Sequence, residues 1–233
     1  MKKKGNRIGW CDITVNPVTG CPNGCEYCYA RSMNNRYRWV EDFSKPEFFP
    51  HRLKDFRTKE PLIIFIDSMS DIGHWKDDWF YSTYAAMNEV GNPNNIYLAL
   101  TKCYRLIDFL RSEISRMDSY RVPEKKRFFI GATVTNNAQA EAVIAAGGAD
   151  FISFEPLLER IKPELLERLQ CKWWIVGDLT KNGKPQGVTQ YDWVCDMEYQ
   201  SDKYKIPLFV KDSLIKLYDK SFYRAFPEGW RQP

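Results

Sequence analysis

Leu62-Ile63-Ile64-Phe65-Ile66-Asp67-Ser68 is an unbroken apolar run that ends abruptly in polar residues. The chain repeats this pattern. Ile96-Tyr97-Leu98-Ala99-Leu100 precedes Thr101-Lys102, Phe128-Phe129-Ile130 precedes Gly131-Ala132-Thr133, and Phe151-Ile152-Ser153-Phe154 precedes Glu155-Pro156. Trp173-Trp174-Ile175-Val176 before Gly177-Asp178 and Pro207-Leu208-Phe209-Val210 before Lys211-Asp212 complete the set. Rich in β-branched and aromatic residues, these runs predict strands buried on both faces. Helical spacing separates several of them: Trp79 to Val90, Arg105 to Met117, Ala138 to Ala146 closed by Gly147-Gly148, and Glu164 to Gln170 after Pro163. Strand and helix in alternation imply parallel pairing through right-handed crossovers. A weaker strand is expected near Ile8 to Val15. The expected fold is therefore α/β, a partial, open (β/α) barrel of about six to seven parallel strands, too few for a closed barrel of eight. A flat doubly wound sheet is the alternative. No repeat, low-complexity tract or linker divides residues 1–233, so one domain is expected, with a C-terminal extension over about 212–233.

Composition narrows the function. Of 233 residues, 44% are hydrophobic and 27% charged, the balance of a globular protein. The net charge of +4 is compatible with an anionic partner without requiring one. No apolar run is long enough to span a membrane. The start, Met1-Lys2-Lys3-Lys4-Gly5, has no apolar stretch behind it, so no secretory signal is expected and a cytoplasmic setting is. In reducing surroundings seven cysteines point to metal or redox chemistry rather than to disulfides.

Three of the seven form a cluster in Gly20-Cys21-Pro22-Asn23-Gly24-Cys25-Glu26-Tyr27-Cys28-Tyr29-Ala30. A loop tightened by Pro and Gly can fold Cys21, Cys25 and Cys28 around one centre, and clustered thiolates select zinc or iron–sulfur. Three ligands leave one coordination position open, which reactive centres use. Zinc closed by His51 or His74, the only histidines, would instead make a non-catalytic, metal-stabilised binding module. Cys11 is a further candidate fourth ligand, and three unligated thiols are the remaining alternative. Outside the loop, Cys11, Cys103, Cys171 and Cys195 are scattered and read as small buried hydrophobes.

The C-x-x-x-C-x-x-C spacing, with Tyr27 before its last cysteine, resembles the signature of the radical S-adenosylmethionine (SAM) superfamily. A wider resemblance is to a phage-associated, three-cysteine-motif family of unknown function that is classed with that superfamily. It is carried by Asn16-Pro17-Val18-Thr19-Gly20-Cys21, Cys28-Tyr29-Ala30, Ser68-Met69-Ser70-Asp71 and Leu100-Thr101-Lys102. Gly131-Ala132-Thr133-Val134-Thr135-Asn136, Ser153-Phe154-Glu155-Pro156-Leu157-Leu158 and Phe209-Val210-Lys211 continue it. Val176-Gly177-Asp178 and Asp212 depart from it, standing where relatives tend to have Gly-Gly-Glu and Gln. The resemblance implies a [4Fe–4S] cluster on Cys21, Cys25 and Cys28, with SAM on the fourth iron. It implies reductive cleavage of SAM to a 5′-deoxyadenosyl radical and an electron donor of flavodoxin or ferredoxin type. Tyr27 is then expected near the adenine, Ser68, Ser70 and Asp71 near the methionyl amino group, and Thr133, Thr135 and Asn136 near the ribose.

Lys102, Arg105, Glu155, Asp178 and Lys211 remain as charges at strand ends. Buried charges must pair with one another or meet a polar substrate, so these are the candidate catalytic residues, with structural ion pairs as the alternative. Arg31-Ser32-Met33-Asn34-Asn35-Arg36-Tyr37-Arg38-Trp39 interleaves basic and aromatic residues, as does Lys220-Ser221-Phe222-Tyr223-Arg224-Ala225-Phe226. Such stretches suit a nucleic acid or nucleotide substrate, or a basic helix that packs its aromatics on the barrel.

Overall fold

The computed structural model describes residues 8–119 and 127–230. The basic start Met1-Lys2-Lys3-Lys4-Gly5 and the last three residues of the C-terminal extension lie outside them. Seven strands form one sheet: β1 (Ile13–Thr14), β2 (Ile63–Phe65), β3 (Ile96–Thr101), β4 (Phe128–Thr133), β5 (Phe151–Phe154), β6 (Trp174–Val176) and β7 (Leu208–Val210). Their order in the sheet is their order in the chain. Pairing is parallel, with Ile13 opposite Ile64, Ile64 opposite Tyr97, Ile152 opposite Trp174 and Phe209 opposite Ile175. A doubly wound sheet reverses direction at a switch point, whereas a barrel adds each strand beside its predecessor. The sheet is thus that of a partial, open (β/α) barrel, and the flat alternative fails.

The helices are α1 (Tyr29–Tyr37), α2 (Asp77–Glu89), α3 (Ile107–Ser119), α4 (Asn137–Ala145), α5 (Pro163–Arg168), α6 (Tyr191–Tyr204) and α7 (Asp212–Tyr218). Local signals set several ends. Asp77 and Asp78 occupy the first turn of α2, where the helix dipole favours acids. The Asn136 side chain caps α4, and Gly147 and Gly148, both at positive φ, end it by donating to the carbonyls of Ile144 and Val143. Pro163 opens α5. Two short antiparallel pairs are added, Val18–Thr19 with Glu47–Phe48 and Thr180–Lys181 with Lys184–Pro185.

The chain divides into two compact units. One is built on Cys11–Cys103 and Glu113–Phe129, the other on Ile8–Trp10, Tyr104–Ser112 and Ile130–Pro233. In the first, Ile63, Ile64, Phe65 and Leu98 are buried, Phe56 meets the Tyr97 ring edge-on and Phe80 stacks on Phe128. In the second, Trp173 gathers Trp10, Phe151, Phe209, Phe226 and Trp230 within 6.3 Å of its ring. Five such rings remove apolar area on the order of 1000 Å² from water.

The expected strand over Ile8 to Val15 reduces to Ile13–Thr14, since Gly9 takes a φ of +85° that no strand uses. A 3₁₀ turn, Tyr104–Leu106, opens the helix expected from Arg105. The basic, aromatic stretch Lys220 to Phe226 is extended rather than helical. Asp219 ends α7 in the left-handed region, Arg224 bridges to Phe209, and Phe226 is drawn against Trp173.

Candidate metal centre

The cysteine loop follows β1 and runs into α1, all within the first unit. Gly20 sets its start at φ +114°, and a Cβ there would lie 2.8 Å from Cα of Pro46, so only glycine fits. The Gly20 N–H donates to the Met69 carbonyl and the Cys21 N–H to that of Phe43. Ala30, Val40, Phe43 and Met69 form a small core against which Cys21 and Cys28 pack. Cys28 is the N-cap of α1, its Sγ accepting from the Arg31 N–H at 3.4 Å, where backbone N–H groups favour negative charge.

Asp71 is the hub beneath the loop. Its Oδ2 accepts from Asn23 Nδ2 at 2.7 Å and from the Lys102 N–H at 2.9 Å. Its Oδ1 accepts from Thr101 Oγ1 at 2.6 Å and from the Gly73 N–H at 2.9 Å. A carboxylate only accepts, so Asn23 turns its amide nitrogen to Asp71 and its Oδ1 to His74 Nε2, 2.6 Å away. Nε2 is then the donor in that contact. Cys103 Sγ lies 3.3 Å from the same Nε2.

Cys21, Asp71 and His74 place their ligand atoms within 4.8 Å of one another. Burial, with smaller contributions from Asp71, Cys28 and Cys25, pushes the Cys21 thiol up to about 12. Burial and then Asp71 push Cys103 up to about 11. Fully buried Asp67, facing Asp71, is held well above the usual carboxylate range by burial first. A metal cation reverses this logic by taking the place of a proton on sulfur. Cys21, Cys25 and Cys28 are in no disulfide and half-buried, but among the described residues the group whose ligand atoms converge is Cys21 with Asp71 and His74, not the three thiols.

Of the residues expected around the methionyl group, Ser68 donates its hydroxyl to Asn16 Oδ1 and accepts from Tyr29 at its carbonyl. Ser70 accepts from Trp75 Nε1, and Asp71 is occupied as described. Lys102 Nζ sits 5.8 Å over the Tyr27 ring, a cation–π pair beside the cysteines in sequence.

In the second unit, Glu155 and Lys211 pair at 2.5 Å. Trp10 Nε1 and Ser153 Oγ each donate to the other Glu155 oxygen at 2.9 Å. A Cβ on Gly177 would lie 2.9 Å from both Glu155 Oε1 and Lys211 Cδ, so glycine keeps this pair together. Asp178 accepts four backbone N–H groups, from Gln186, Gly187, Val188 and Thr189, and so organises the loop after β6. Thr135 donates its N–H and hydroxyl to Gln139, Asn136 caps α4, and the Thr133 carbonyl accepts from Tyr104. Arg105 is exposed on the 3₁₀ turn.

A family model described as "Protein of unknown function (DUF5131)" matches residues 5–215. The chain belongs to the DUF5131 family. Neither the curated proteins nor the solved structures contain a match to it. In this DUF5131 chain the spacing singles out Cys21, Cys25 and Cys28, but not Asn23, Thr101 and Cys103, which meet Asp71 and His74. Asn23 carried one signal, a polar side chain inside the ligand loop itself. Trp10 and Ser153, which hold Glu155, carried none.

Proposed function

We propose that this protein is a radical SAM enzyme, with Cys21, Cys25 and Cys28 holding a [4Fe–4S] cluster. The observation that carries the reading is the C-x-x-x-C-x-x-C loop itself. It sits after the first strand of a parallel, partial barrel and is pinned by Gly20, Asn23 and Asp71. Bound to these three cysteines, the cluster would supply the single electron for reductive cleavage of SAM, and with it hydrogen-atom abstraction chemistry.

The chain's own residues prepare for that. Asp71 holds Asn23 and the Lys102 backbone, fixing the loop against the end of β3. The Tyr27 ring, partnered by Lys102, offers a flat face for a purine. Hydroxyls of Ser68 and Ser70 are half-buried on the turn after β2. In the second unit, the Lys211 ammonium, neutralised by Glu155, is a group that can meet a polar substrate.

A second reading rests on the juxtaposition of Cys21, Asp71 and His74: zinc in a binding module. It must displace a donor, since each Asp71 oxygen already accepts two hydrogen bonds. Anaerobic reconstitution followed by iron and zinc analysis, then dithionite with SAM, separates the two. About four irons per chain and 5′-deoxyadenosine are expected. Stoichiometric zinc with no iron uptake and no cleavage overturns the proposal.

A further inference from the structure

Residues 29–39, which the chemistry above leaves unused, are shaped in two faces. Ala30 and Asn34, one turn apart, face inward, and the Asn34 amide closes on the Val40 backbone with two 3.0 Å bonds. Tyr29, Met33 and Tyr37, spaced by four, form an exposed stripe that borders the buried one. Trp39 extends it, its ring stacked on Tyr37 at 5.2 Å and 23°, with 51% of Tyr37 and 39% of Trp39 exposed. The Arg36 guanidinium lies 5.2 Å from the Tyr37 centroid.

Charge follows the same stretch. Arg31, Arg36 and Arg38 stand in it without one Asp or Glu, so three charges sit here in a chain whose net is +4. Among the described residues none of the three has a carboxylate partner within 4.0 Å. Of the acids that follow, Asp42 is engaged by Ser44 and Lys45. Arginines alone would suit any acidic surface. Exposed, stacked rings topped by a guanidinium suit something flat as well as anionic.

We propose that residues Tyr29 to Trp39 form a binding surface for single-stranded nucleic acid, with bases stacking on Tyr37 and Trp39 and phosphates meeting Arg31, Arg36 and Arg38. The surface begins at Tyr29, the residue after Cys28, so a strand held on it runs toward the cysteine loop. That last consequence, a nucleic acid substrate, rests on the radical SAM reading; the binding itself does not.

Fluorescence anisotropy of fluorescein-labelled dT12, and of a 12-base-pair duplex, tests it on the full chain. dT12 should bind more tightly than the duplex, whose bases are not open to stacking. Its affinity should fall with salt at a log–log slope of about −2, from three phosphates at about 0.7 each. Tyr37→Ala and Trp39→Ala should each weaken dT12 by about fivefold or more while leaving the circular dichroism unchanged. Arg36→Gln should flatten the slope by about 0.7. Cys21→Ala should bind dT12 as the wild type does, which separates this surface from the cluster. No dT12 binding, equal binding of duplex, or aromatic variants that bind normally would each overturn the proposal. Loss with the arginine variant alone would mark a basic patch for an acidic protein instead.

Discussion

Replacing Asp71 should unfasten the cysteine loop from beneath. The carboxylate accepts four hydrogen bonds from three segments: the loop through Asn23, its own turn through Gly73, and the end of β3 through Thr101 and Lys102. Asp71→Ala leaves the fully buried Thr101 hydroxyl and two half-buried backbone N–H groups without an acceptor. At about 1–3 kcal/mol for each buried donor, offset by water reaching the exposed Asn23 and by Thr101 rotating its hydroxyl, about 3 kcal/mol is expected. Relief of buried Asp67, which Asp71 repels, offsets a further part. Asp71→Asn keeps one acceptor oxygen but aims an NH₂ at two donors, so it should recover less than half of the loss. Urea unfolding followed by far-ultraviolet circular dichroism reads both values. A loss under about 0.5 kcal/mol for Asp71→Ala, the scale of an unimportant surface change, would refute the hub.

Other consequences are local. Arg116 first, then Tyr81, hold the Glu113 carboxyl down at about 2. Stabilisation from this depressed group is present above its ordinary value of 4.5 and fades as pH falls toward 2; NMR titration of the Glu113 carboxyl carbon should show that midpoint, moving back toward 4.5 in Arg116→Gln. Gly131→Ala should cost about 1–3 kcal/mol by overpacking, because its Cβ would sit 2.5 Å from the Phe151 ring opposite it in register. Burial pushes the Cys171 thiol up to about 12, so mass spectrometry after brief maleimide labelling of the metal-free protein should find Cys25 and Cys28 modified and Cys171 intact.

Six of the seven strands could be read directly, because each is buried on both faces and so carries an unbroken apolar run, as Ile63–Phe65 and Phe151–Phe154 do. The first strand was blurred because Ile13 and Thr14 lie at the sheet edge, half-exposed, and need no such run. Helix α6 went unread, because its buried side mixes Val194 and Met197 with the polar Gln200 and Ser201. At the site the contrast is sharper. Three cysteines within eight residues are a local pattern, whereas the hub joins Asn23, Asp71, Thr101 and Lys102 from across the chain. Polar residues at strand ends were ambiguous for a physical reason, since a carboxylate there can meet a ligand or bind a turn. Asp178 binds its loop, and Glu155 is held by Trp10, Ser153 and Lys211.

In the proposed function Cys21, Cys25 and Cys28 hold a [4Fe–4S] cluster with one iron open to SAM. Electron paramagnetic resonance of the anaerobically reconstituted, dithionite-reduced protein, before and after SAM, addresses it most directly. A reduced-cluster signal whose g-values shift when SAM is added, and which Cys25→Ala abolishes, is the predicted result. A silent spectrum from protein carrying zinc, or a cluster signal that SAM leaves unchanged, would contradict it.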